Sequence, residues 1–288
     1  MTAPDASDDF LSGESGAVAG PRLRVTRTLT DVAHSLAGVV TLAGPRLDRL
    51  AAGQAPRRVL VLGVYRPRSR LARALPRLRS KRHEVRVALG ATGDDADPAL
   101  RDETALTGLT GGKFENLNLL LARAEPHGAD WIVVADDDVE LPHRFLDRFL
   151  ALCERLELDL AQPAQTARSH AAWRVTRRRA LSLARRTSYV EIGPVTAFSA
   201  RAADELLPFP ELRFGWGLDN HWSAVARERG WGLGVVDALP VRHEWQPVAA
   251  SYRHDEAIAE ARDFLAERPY VPAHEAQRTL ATIRRLPS

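Results

Sequence analysis

Residues 59–65, Val-Leu-Val-Leu-Gly-Val-Tyr, are apolar without a break. A strand with one wet face alternates apolar and polar side chains. An unbroken run of this length marks a strand covered on both faces, as parallel strands between helix layers are. Trp131-Ile132-Val133-Val134-Ala135 is a second run of this kind, and residues 85–89 read as another strand. Between them the apolar period lengthens to helical spacing, over residues 69–80 and again at Phe114, Leu117, Leu120, Leu121 and Ala124. Strand and helix alternate, which predicts an α/β fold with a mixed, mostly parallel sheet flanked by helices.

The flanks differ from this middle. Residues 1–20 are rich in Asp, Ser, Gly and Ala, and read as disordered. Leu29, Val32, Leu36, Val39, Val40, Leu47 and Leu50 recur at helical spacing, with a break near Gly44-Pro45. The expected division is a disordered tail plus helical appendage over residues 1–56, a main domain over 57–250 and a C-terminal helical extension over 251–288. Residues 90–110 read as a polar loop. Later strands are expected at 158–162, at 189–198 and around Val235-Val236, with helices at 142–156, 199–207, 218–229, 253–267 and 273–285. The Arg-rich residues 168–188 read as a mobile lid.

Forty basic against 37 acidic residues leave a net charge of only +3, which argues against nucleic acid as a partner. Cys153 is the only cysteine, so no internal disulfide framework exists, and a cytoplasmic setting is expected. It lies in an apolar helical pattern and reads as packing. No run approaches the roughly 20 apolar residues that span a bilayer. Residues 32–44 form a short amphipathic stretch, which allows a peripheral contact with the inner face of a membrane.

Asp136-Asp137-Asp138 follows the 131–135 run directly. In extended backbone, residues two apart face one way, so Asp136 and Asp138 share a side at the carboxyl end of a parallel strand, where open α/β sheets bind ligands. Three adjacent carboxylates repel one another without a cation, and oxygen donors of this kind suit Mg²⁺ or Mn²⁺. Such ions commonly serve phosphate-bearing substrates.

The segment resembles the DxD motif of GT-A glycosyltransferases. Further pieces follow in that family's order: Val64-Tyr65-Arg66-Pro67 at the end of the first strand, Gly111-Gly112-Lys113 before a helix, Gly193 to Ser199, Phe214-Gly215-Trp216-Gly217-Leu218-Asp219-Asn220, and Val241-Arg242-His243. The chain is also similar to a little-characterised bacterial GT-A-like domain family, through Gln162-Pro163-Ala164, Val190-Glu191 to Pro194-Val195, Trp216 to Asp219, and Val241 to His243. The resemblance covers residues 57 to about 247.

It implies a metal-dependent glycosyltransferase of the hexosyltransferase kind, moving a sugar from a nucleotide-diphosphate sugar to an acceptor hydroxyl. Asp138 and His243 are the implied metal ligands, with Asp136 joining through water or touching the ribose, and Mn²⁺ or Mg²⁺ as the ion. Donor-binding residues are Tyr65 by stacking on the base, Arg66 and Lys113 toward phosphate, and Asp136 and Asp137. Trp216 and Gly217 are placed on the acceptor side. Asp219 is the base of an inverting transfer, taking the proton of the attacking hydroxyl. His221 competes with His243.

Two other functions fit parts of the pattern. A nucleotidyltransferase would carry a Gly-rich basic signature at the first strand, and Val64-Tyr65-Arg66-Pro67-Arg68 lacks the glycines. A non-catalytic nucleotide-sugar-binding protein needs no Asp219. A P-loop is excluded, because Thr107 and Phe114 stand where glycine and Ser/Thr are required.

Overall fold

The computed structural model describes residues 9–11, 21–40, 43–243 and 253–286. Its sheet begins with four parallel strands in spatial order β3 (Thr104–Leu106), β2 (Glu84–Ala91), β1 (Arg58–Tyr65) and β4 (Trp131–Ala135). The sheet continues through β8 (Val195–Ser199), antiparallel to β4, and β6 (Leu160–Gln165), antiparallel to β8. It then runs through β9 (Leu233–His243), parallel to β6, and β7 (Ala184–Thr187), antiparallel to β9. β10 (Thr279–Ile283) closes that edge against β7. The two-residue β5 (Val139–Glu140) pairs with the far end of β9.

The helices are α1 (Pro21–Val40), α2 (Ala43–Gly53), α3 (Leu71–Leu78), α4 (Lys113–Ala124), α5 (Phe145–Arg155), α6 (Ala200–Leu206), α7 (Leu218–Arg229), α8 (His254–Ala266) and α9 (Ala273–Ala276). The pleat of β1 divides the core, since successive side chains leave opposite faces. Val59 and Val61 join Leu71, Phe145 and Phe149 on one side. Leu60 and Leu62 join Phe114, Leu117, Phe198 and Trp222 on the other. Both faces of the strand are therefore dry, as its unbroken apolar run requires, and the α/β expectation with a mixed sheet flanked by helices holds.

The flanking segments share this core. Leu47 of α2 is buried with Phe145 and Phe149, and Phe264 and Leu265 of α8 pack with Trp222. The disorder expected over residues 1–20 falls outside the described residues except at 9–11, where Asp9 accepts from the Tyr270 hydroxyl at 2.8 Å.

Several local expectations are corrected. Residues 189–194 are irregular, and strand pairing begins only at Val195, where β8 meets Ala135 of β4. The helix expected over 142–156 starts only at Phe145, after Arg144 in the left-handed region at φ +55°. In place of a helix over 273–285, α9 ends at Ala276 and Thr279, Thr282 and Ile283 take up β10. The β-branched side chains suit a strand.

Residues 168–188 are packed, not a free lid. Trp173, Val175 and Thr176 are buried. Arg185 is also buried; its guanidinium pairs with Asp237 Oδ2 at 2.8 Å and donates to the carbonyls of Val175 and Arg177, both at 2.7 Å. Among the described residues no helix is long and apolar enough to cross a membrane.

Candidate functional site

The carboxyl ends of β1 and β4 open into a cavity of about 510 Å³. β4 delivers Asp136, whose amide donates to the Pro194 carbonyl at 2.8 Å, just beyond the β4–β8 ladder. Three residues later the chain pairs again. Val139 is the register partner of His243, and Glu140 of Arg242. This short ribbon ties positions more than a hundred residues apart and sets His243 Nε2 2.9 Å from Asp138 Oδ1.

The three carboxylates have separate partners. Asp137 is buried and accepts from the Arg66 backbone at 2.9 Å, from its Nε at 3.0 Å and from its Nη2 at 2.6 Å. It holds Arg66 in place more than it faces a ligand. Asp136 Oδ1 lies 2.6 Å from Lys113 Nζ, and Lys113 also donates to the Ile192 carbonyl at 3.0 Å. A Cβ on Gly193 would stand 2.9 Å from Asp136 Oδ2 and 3.2 Å from Lys113 Nζ, so a larger residue there would push the ends of both side chains aside.

The expected metal set is thus only partly assembled. Asp138 and His243 meet, while Asp136 is turned to Lys113. Among the described residues no group of three or more His, Cys, Asp or Glu side chains is arranged around a cation position. Burial pushes the Asp138 carboxyl up, but the hydrogen bond and charge of His243 outweigh it and hold the group below its usual range. Burial pulls His243 down, and Asp138 more than reverses this, so the imidazole is raised.

Tyr65 does not reach the cavity. The pleat of β1 sends Val64 toward it and Tyr65 into the opposite core, where its hydroxyl meets Thr104 Oγ1 at 2.8 Å and accepts from Asp97 N at 3.1 Å. Stacking on a base from this position is ruled out by the burial. Arg66, Lys113 and Trp216 do line the cavity. Gly217 does not; it starts α7 with φ +81°, and a Cβ there would stand 2.8 Å from Leu265. His221 Nδ1 lies 2.7 Å from the Pro269 carbonyl, away from the site.

Asp219 is buried behind the cavity lining. Its Oδ2 accepts a short hydrogen bond from the Tyr189 hydroxyl, and its Oδ1 accepts from Asn220 N at 3.0 Å. Burial raises its carboxyl to about 6, against these donors. Besides the acidic triplet, the cavity is lined by the carboxyl of Glu191. Gln165 Nε2 donates to it at 2.7 Å, and Gln162 Oε1 accepts from its amide at 2.5 Å. Burial, then the charge of Asp219, pushes Glu191 up to about 8. In the sequence Glu191 stood out only as part of a motif, with no role attached. Nothing in its spacing shows that a break in the strand would turn it to the cavity.

With this geometry in place, solved structures give the fold a context. The N-terminal part of S. aureus TarS (residues 1–349), in complex with UDP-GlcNAc, is 14% identical, with a TM-score of 0.50 over 76% of this chain and 69% of that one. GalNAc-T7 with UDP, GalNAc and Mn²⁺ is 12% identical, with a TM-score of 0.45 over 67% of this chain; the match takes in only 44% of that protein. A mycobacterial protein is 17% identical, with a TM-score of 0.44 over 71% and 72% of the two chains. The sequence matches no protein-family model and no curated protein. The likeness to TarS establishes the GT-A fold for this chain.

Proposed function

We propose that the protein is a metal-dependent hexosyltransferase, carrying a sugar from a nucleotide-diphosphate sugar to an acceptor hydroxyl with inversion. The observation that carries this reading is the meeting of Asp138 and His243, 2.9 Å apart, in the wall of a 510 Å³ cavity at the carboxyl end of the sheet. Its fold is that of TarS, whose complex holds UDP-GlcNAc.

The Asp138 carboxylate and the His243 imidazole would hold an Mn²⁺ or Mg²⁺ ion. Such an ion neutralises charge developing on the leaving diphosphate. The protein's own groups do the rest. Lys113 leaves Asp136 for a phosphate oxygen, which frees Asp136 to meet the ribose. Arg66, oriented by Asp137, adds positive charge at the same wall. Trp216 offers a flat apolar face to a sugar ring.

The proton of the acceptor hydroxyl passes to a buried carboxylate. Asp219 is the first candidate base, with a carboxyl near 6 that holds or releases a proton close to neutral pH. Its use requires the Tyr189 hydroxyl to give way. Glu191 supports a second reading, because it already borders the cavity; with its carboxyl pushed up to about 8, it would serve as base in the fraction that has lost its proton.

The test is a thermal-shift panel of uridine and guanosine diphosphate sugars, each with and without Mn²⁺. A cation-dependent rise in melting temperature with at least one donor is expected. A flat panel sinks the enzyme reading.

A further inference from the structure

α1 (Pro21–Val40) sits on the protein the wrong way round for a helix covering a core. Val25, Leu29, Val32 and Leu36 recur at spacings of four, three and four, which places them on one stripe. All four are exposed, Leu29 at 64% and Leu36 at 62%. No described α1 side chain belongs to the buried core. The side turned inward is polar. Asp31 accepts from the amides of Ala167 at 2.7 Å and Arg168 at 3.2 Å, and His34 lies in the field of Arg178 and Asp237.

The residues bordering the stripe are already satisfied. The hydroxyls of Thr26 and Ser35 donate to carbonyls four residues back, Arg22 at 3.1 Å and Asp31 at 2.8 Å. That arrangement removes two polar groups from competition for water. Arg22 stands at one border with a stem long enough to carry its charge to a surface.

The helix itself is basic. Its sequence holds Arg22, Arg24 and Arg27 against one acid, Asp31, and Asp31 anchors it beside Arg168. Asp31, the acid of α1, is spent on the inward amides. An exposed apolar stripe beside a positive collar repels a second copy of itself and attracts a negative, apolar boundary.

We propose that the outer face of α1 docks on an anionic lipid bilayer, with Val25, Leu29, Val32 and Leu36 entering the headgroup boundary and the neighbouring arginines meeting lipid phosphates. The helix lies in the plane of the interface and does not span it. This surface is distinct from the cavity described above, so the proposal stands whether or not the donor reading does.

The experiment is co-sedimentation of the full chain with phosphatidylglycerol–phosphatidylcholine vesicles and with phosphatidylcholine vesicles alone. Binding to the anionic vesicles, weakened by added salt, is expected. The Leu29→Ser/Leu36→Ser double variant should lose about tenfold or more of it. Both leucines are exposed, so the variant should keep the wild-type melting temperature, which controls for folding. Equal binding by variant and wild type, or no binding by wild type, overturns the proposal. So does a concentration-dependent dimer in analytical ultracentrifugation that the same double variant abolishes, since the occupant is then a second copy.

Discussion

Val139 and His243 are partners in a two-residue antiparallel ribbon, and the Asp138–His243 contact follows from that pairing. The backbone, not the side chains, brings the acidic triplet to the histidine. Removing either side chain should therefore spare the fold. Asp138→Ala and His243→Ala are each expected to abolish the Mn²⁺-dependent part of the thermal shift with a donor nucleotide while cooperative unfolding persists. Retention of the shift in both variants removes the metal role from this pair.

The two buried acids separate in kinetics. Loss of a general base costs roughly 10²- to 10⁴-fold in kcat. Asp219→Asn should show a loss of that size with donor binding intact. If Glu191→Gln shows it instead, the proton goes to the residue on the cavity wall. Single-turnover transfer, with donor affinity measured in parallel, distinguishes the two.

Glu191 also gives stability a pH dependence. Its carboxyl rises from an ordinary 4.5 to about 8 on folding, through burial first and the Asp219 charge second. The folded chain thus holds this proton more tightly than the unfolded chain does. The contribution is complete below pH 4.5, falls as pH rises toward 8, and is level above. Its limiting slope is about 1.4 kcal/mol per pH unit. Glu191→Gln should flatten that fall in chemical denaturation measured across the interval.

Arg185 and Asp237 are a buried pair, 2% and 0% exposed in their side chains. Breaking one partner leaves an uncompensated charge. Arg185→Met is expected to destabilise the protein by about 3–5 kcal/mol in urea unfolding. Adding Asp237→Leu should recover a large part of it, because both charges are then gone. Additive losses in the double variant contradict the account.

The sequence made some of this structure legible and hid the rest for physical reasons. β1 and β4 announce themselves because both of their faces are dry. The acidic triplet is visible because it follows β4 without a gap. β7 is hidden: Ala184-Arg185-Arg186-Thr187 looks like a solvated turn, and only Asp237, more than 50 residues on, permits Arg185 to be buried. β5 is hidden because two residues carry no period. Tyr65 stands at a strand end, where a ligand could be met, but the parity of the pleat puts it on the core side with Val59 and Val61. Glu191 depends on a break in a strand that its neighbours, apolar and β-branched, do not signal.

Glu260 of α8 accepts from three consecutive amides, Arg213 at 2.7 Å, and Phe214 and Gly215 at 2.9 Å each. The turn that carries Trp216 is therefore held by a side chain that never touches the cavity. A substitution on this helix can shift the indole in the cavity wall while Asp136, Asp138 and His243 keep their places.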